Sequence, residues 1–261
     1  IALHCLLSQT IRSLMARQKQ MSAAQPLVFV FTHYIISNTI HICHSSFFAL
    51  YYREKISLKY NHTKARYCME PSKVYFTDFH TVAFGDGLPT KLKKLIKKAG
   101  IEKLDMDGKF VAIKMHFGEL GNISYLRPNY AKAVADVVKE FGGKPFLTDC
   151  NTMYPGSRKN ALEHLECAWE NGFTPLTVGC PILIGDGLKG TDDVDVPVAG
   201  GEYVKEAKIG RAIMDADVFI SLTHFKGHEM TGFGGTIKNI GMGCGSRAGK
   251  KDQHSSGKAT H

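Results

Sequence analysis

Residues 110–148 read FVAIKMHFGELGNISYLRPNYAKAVADVVKEFGGKPFLT. Phe110–Met115 is a short apolar run of the kind that forms a buried strand. Pro128 suits the first turn of a helix, where its missing N–H costs nothing. Tyr130, Val134, Val137, Val138 and Phe141 then fall on one helical stripe. Gly142-Gly143 stops the helix, and Lys144–Thr148 resumes as a strand. Strand, helix and strand within about 40 residues make a βαβ crossover, which implies a parallel strand pair.

The same alternation extends in both directions. Lys73–Thr77 reads as a strand. Leu92, Leu95, Ile96 and Ala99 recur at helical spacing, with lysines on the opposite face and Gly100 as the stop. Ser157 is a candidate cap for a helix running to about Glu170, ended by Asn171-Gly172. Residues 179–201 read as loop with short extended pieces, and Tyr203–Met214 as a helix. Asp217–Thr223 reads as the last strand, and Gly235–Met242 as the start of a final helix. The fold class is therefore α/β: a mostly parallel sheet flanked by helices in three layers, over residues 69–261.

Charge divides the chain at the same boundary. The formal net charge is +9. Residues 1–68 hold eight Lys/Arg and one acid, Glu54, and no glycine; all 26 glycines follow Cys68. The remaining residues are almost neutral, so the basic footprint of a nucleic-acid binder is missing. Residues 1–68 are read as a non-native or disordered extension, with Met69 as the natural start. A membrane anchor is the alternative, because residues 26–52 have no Lys, Arg, Asp or Glu and are long enough to span a bilayer. A transit peptide is a third option. Apart from residues 26–52 nothing calls for a membrane, and reduced cysteines without CxxC pairs suit a cytoplasmic protein.

Ligands of open α/β sheets bind beyond the carboxyl ends of the strands. His116, Asp149, His224 and His228 all lie at such ends. Together they form a candidate set for a divalent metal. His224–Lys250, HFKGHEMTGFGGTIKNIGMGCGSRAGK, holds eight glycines in 27 residues. Glycine at that density lets backbone turn sharply or approach a ligand closely. Gly232, Gly234 and Gly235, ahead of a helix start, could cradle an anion with help from Arg247. Lys238 adds charge beside them. Neither a Walker loop nor a Rossmann fingerprint fits the spacing. Cys244 lies between glycines with Arg247 and Lys250 nearby, a setting expected to be exposed and to favour the thiolate. MHFGELG at 115–121 echoes THFKGHEMTG at 223–232, which suggests similar loops at two strand ends.

The runs SLTHFKGHEMTGFGGTIKNIGMGCGSRAGK, IKMHFGELGNISYLRP, FLTDCNTMYPGSRKNALEHL and ENGF resemble the domain-of-unknown-function 362 family, whose members are often labelled iron–sulfur-centre proteins. The likeness covers roughly Val74 to Lys258. Family members usually continue into a ferredoxin-like insert whose cysteines hold 4Fe–4S clusters. This chain stops at His261, about where that insert would begin. The resemblance thus implies electron transfer with a redox partner for the full-length protein, not a cluster in this fragment. A weaker likeness is to nickel-dependent lactate racemases, in which a histidine precedes a glycine-rich turn and a lysine that tethers a pincer cofactor. It implies that His228 is an acid/base group and Lys238 a cofactor or substrate anchor, with Cys244 as a further catalytic candidate. Three functions follow as expectations: an iron–sulfur-associated redox protein binding an anionic small molecule or metal, a metal- or pincer-dependent racemase-like enzyme, or a non-enzymatic cofactor-binding or assembly module.

Overall fold

A computed structural model describes residues 73–229 and 231–255, together with two upstream strands. The strands are β1 (Leu27–Thr32), β2 (Phe47–Tyr52), β3 (Lys73–Thr77), β4 (Phe110–Lys114), β5 (Lys144–Asp149), β6 (Ile182–Ile184), β7 (Asp193–Pro197), β8 (Glu206–Gly210), β9 (Val218–His228) and β10 (Gly232–Gly234). The helices are α1 (Leu88–Lys98), α2 (Pro128–Glu140), α3 (Ala161–Glu170), α4 (Pro175–Val178), α5 (Arg211–Met214), α6 (Thr236–Gly241) and α7 (Arg247–His254). Apart from β1 and β2, the expectations for residues 1–68, an extension or a membrane anchor, fall outside the described residues. Among the described residues no helix is long and apolar enough to cross a membrane.

The main sheet runs in the order β3-β2-β1-β9-β4-β5-β6, with β10 added to β9. The pairs β1–β9, β9–β4, β4–β5 and β5–β6 are parallel. The βαβ unit read from residues 110–148 is therefore present as β4, α2 and β5. This is the α/β fold that the alternation of elements predicts.

The period-two geometry of strands divides the sheet's side chains between two cores. Val111, Ile113, Leu147, Val218, Ile220 and Leu222 join one core with the apolar faces of α1 and α2. Ala112, Phe146 and Phe219 point the other way, into a second core closed by the β7–β8 pair and by residues of α5 and α6. The second layer is thus a small antiparallel hairpin with short helices. It replaces the long helix expected over Tyr203–Met214. Ala207 and Ile209 alternate inward as strand residues and pair with β7, and only Arg211–Met214 turns helical. The cap before α3 is Asn160 and not Ser157: the Asn160 side chain accepts from the Glu163 N–H at 3.0 Å.

Gly142 ends α2 in the left-handed region, at φ 77°. A Cβ there would also stand 2.2 Å from Asp107 Oδ1. Gly142→Ala is therefore expected to destabilise the fold by about 1–3 kcal/mol, the cost of forcing an L-residue into that region. Urea unfolding would check this; an unchanged midpoint would refute it.

Candidate functional site

The carboxyl ends of β4 and β5 and the middle of β9 meet at a charged network that is almost wholly buried. Lys114 closes β4 and is 1% exposed; Asp149 closes β5 and is 2% exposed. Their side chains form an ion pair, Lys114 Nζ to Asp149 Oδ1, at 3.0 Å. Lys114 also donates to Asn239 Oδ1 at 2.6 Å. Asn239 Nδ2 lies within donating distance of Ser221 Oγ, Thr223 Oγ1 and the Lys114 carbonyl. The buried hydroxyls of Ser221 and Thr223 bond each other at 2.8 Å. Asn239 thus fastens α6 to β4 and β9. Gly243 makes room for the lysine: a Cβ there would sit 2.2 Å from Lys114 Nζ and 2.0 Å from the Asn239 carbonyl.

Asp149 has a second side. Its Oδ2 faces Arg158 Nη1 and His164 Nε2, each at 3.9 Å, beyond hydrogen-bond range. Arg158 holds Glu119 Oε2 through Nε at 2.8 Å and Nη2 at 2.7 Å. His116 Nδ1 accepts the Gly118 N–H at 2.9 Å. Burial opposes ionisation of Asp149, but Lys114, then His164, His116 and Arg158, hold its carboxyl well below the usual range. Burial lowers His164 to about 4, against the pull of Asp149. His116 keeps an exposed ring, yet the protein around it displaces water and, with Arg158, lowers it to about 3. Both imidazoles are neutral at pH 7.

A third acid, Asp186, is fully buried and ties the neighbouring loops together. It accepts from the Asn151 N–H at 2.9 Å, Asn151 Nδ2 at 3.0 Å and the Arg247 N–H at 3.1 Å. Desolvation raises its pKa despite these bonds.

The second grouping lies farther along β9. That strand does not stop at Thr223 but continues to His228 and turns back as β10. His228 Nε2 and Lys238 Nζ are in direct hydrogen-bond contact. Loss of water, then Lys238 and Lys226, lower the His228 pKa. Loss of water, then Lys226, lower that of Lys238. The Thr231 N–H stands 3.3 Å from His228 Nδ1. If Nδ1 accepts there, Nε2 carries the imidazole proton and meets an uncharged Lys238 amine. If the ammonium donates instead, Nδ1 carries the proton and the Thr231 amide loses this acceptor. In either arrangement one proton lies between the two nitrogens.

The structure separates several of the candidate residues. Among the described residues no group of three or more His, Cys, Asp or Glu side chains could hold a metal. His116 and Asp149 share the first grouping, whereas the length of β9 carries His228 out to Lys238, and His224 lies half-buried within the strand. The stretches at His116 and His224 do not form similar loops, because the second is a hairpin. Gly232 and Gly234 lie in the short strand β10, opposite His228 and Lys226, and not in a loop ahead of a helix. Gly235 caps α6, which is only six residues long. Arg247 directs Nη1 toward the Lys159 carbonyl at 3.4 Å.

Cys244 is the plainest reversal. It is 0% exposed, and burial pushes its thiol up to about 12. Lys250 folds back onto the Gly245 carbonyl at 2.6 Å. Cys150 and Cys244 sit in one core, while Cys180 sits in the other. The described cysteines therefore do not form the convergent thiolate set that an iron–sulfur cluster needs.

The fold and these groupings define an α/β domain with charged machinery at the carboxyl edge of its parallel strands. The chain belongs to the family described as Domain of unknown function (DUF362), which matches residues 111–261. It is also similar to the Thylakoid-associated protein sll1697 of Synechocystis sp., with 32% identity over 124 residues, covering 45% of this chain and 32% of that protein. The chain thus spans about a third of that relative's length. No solved structure matches it. These matches bring a family, and with it no cofactor and no reaction.

Two measurements follow from this geometry. His164 titrates near 6.5 when unfolded and near 4 when folded, so the unfolded state binds more protons between those values. Stability is then full above pH 6.5 and falls as pH drops toward 4, by roughly 3 kcal/mol over that window. Denaturation across pH 4–7 should show this slope together with that of His116, which is lowered further, and His164→Phe should reduce it to the His116 share; an equal slope in both proteins would count against the assignment. Native Cys150 and Cys244 should resist alkylation and react only after denaturation, read by site-resolved mass spectrometry.

Proposed function

We propose that this domain binds a small anionic molecule at the β9–β10 hairpin and that His228 and Lys238 exchange a proton with it. The observation that carries the reading is the contact between His228 Nε2 and Lys238 Nζ. Two bases that share one proton can take up a second or release the first with little rearrangement, and imidazole suits that work near neutral pH. Lys226 lies close enough to lower the pKa of both groups. The same positive field attracts an anion. This is the acid/base role for His228 and the anchoring role for Lys238 that the racemase likeness implies. The described residues do not fit an iron–sulfur cluster, and no step here runs through one. Electron transfer with a redox partner is a proposal about a longer protein.

Acetate and inorganic phosphate are suitable probes. Lys238→Ala should weaken their binding by about 10-fold or more, the loss of one charge-assisted hydrogen bond. The same substitution should raise the His228 pKa toward that of free imidazole, read by NMR titration. His228→Ala should retain binding and lose its pH dependence near neutrality. Unchanged binding in Lys238→Ala, or an unmoved His228 titration, would overturn the reading.

A further inference from the structure

The first grouping contains polar atoms that the protein leaves unsatisfied. His164 is 0% exposed, and neither of its ring nitrogens has a hydrogen-bond partner. Glu119 Oε1 is buried and also lacks one. Asp149 Oδ2 faces Arg158 Nη1 and His164 Nε2, each at 3.9 Å. Arg158 spans the two acids, bonded to Glu119 on one side and facing Asp149 on the other. Buried polar groups are nearly always paired, and each unpaired one is costly. The two 3.9 Å separations leave a gap between Asp149, Arg158 and His164, and Arg158 links it to Glu119.

Their chemistry selects what fills the gap. Two carboxylate oxygens call for donors. The guanidinium and one imidazole N–H call for acceptors. The charges of Asp149 and Glu119 are balanced by those of Lys114 and Arg158, and the two histidines are neutral. A second anion would meet two carboxylates with no surplus positive charge, and a cation would meet the guanidinium. A hydroxyl group donates once and accepts twice, so it satisfies an acid and a base together. Two carboxylates then call for two hydroxyls. His116 is near enough to feel the charges of Arg158 and Asp149, so its ring reports on this gap.

We infer that the gap between Asp149, His164, Arg158 and Glu119 binds a neutral small molecule carrying two adjacent hydroxyls. One hydroxyl donates to Asp149 Oδ2 and accepts from His164 or Arg158. The other donates to Glu119 Oε1. This diol site differs from the anion site proposed at His228 and Lys238, although the Lys114–Asn239 bond connects their supporting elements.

The test is site-resolved imidazole NMR of the full chain, with ethane-1,2-diol as the probe and ethanol as its single-hydroxyl counterpart. The diol should shift the His164 and His116 signals saturably, and at least about tenfold more tightly than ethanol, because a site built for hydroxyls rejects the analogue lacking one. Glu119→Gln keeps the side-chain shape and should abolish that preference while the His164 and His116 signals keep their folded dispersion. His164→Phe, which keeps a ring against Phe117, should weaken the diol as read at His116. Equal responses to both probes, no saturable shift with either, or an unchanged preference in Glu119→Gln would overturn the inference. The last two results are those expected if water alone fills the gap. His228 should not respond to the diol, so failure here is separable from failure of the anion reading.

Discussion

The ion pair between Lys114 and Asp149 is the constraint on which this edge of the molecule depends. Removing two charges from water costs several kcal/mol per ion, and their attraction offsets this only when further hydrogen bonds complete both groups. Asn239 supplies one of those bonds from α6, the Cys150 N–H supplies another to Asp149, and Gly243 leaves the space. The pair therefore fixes where α6 lies against β4 and β9. In doing so it places the helix that carries Lys238. Removing either charge would leave the other buried and unpaired, and the error would spread to every element that meets there.

The parallel sheet was legible in the sequence because its signals are local. The apolar stripe of α2, Pro128 at its start and Gly142 at its end are all readable without knowing any partner. The β8 strand was not, because Ile209, Ala212 and Ile213 also fit a helical stripe. Only pairing with β7 separates the two readings. The hairpin of β9 and β10 was missed for a related reason: dense glycine reads as loop, although short strands can form from it when a neighbour supplies the ladder.

The candidate site was legible in part. The rule that ligands bind beyond strand ends selected His116, Asp149 and His228, and the motif around Gly232 selected Lys238. Lys114 was passed over because one lysine in an apolar run looks like the end of a strand. Arg158 and His164 were passed over because their role is set by Asp149, which is distant in sequence from one and on another element from both. Cys244 shows the converse error. Basic neighbours in sequence are not basic neighbours in space, and burial outweighs the charges that do approach it.

The strand β9 has a consequence of its own. Its first six residues are buried between two cores, and its last five emerge into partly exposed surroundings. One continuous ribbon thus has an anchored root and a compliant tip. The tip is held by the three-residue strand β10 and by the last residues of β1, so its amide protons are expected to exchange faster than those of the shielded root. Amide exchange along this single strand would then act as a depth gauge, with the change in rate marking where the rigid body ends and the moving part begins.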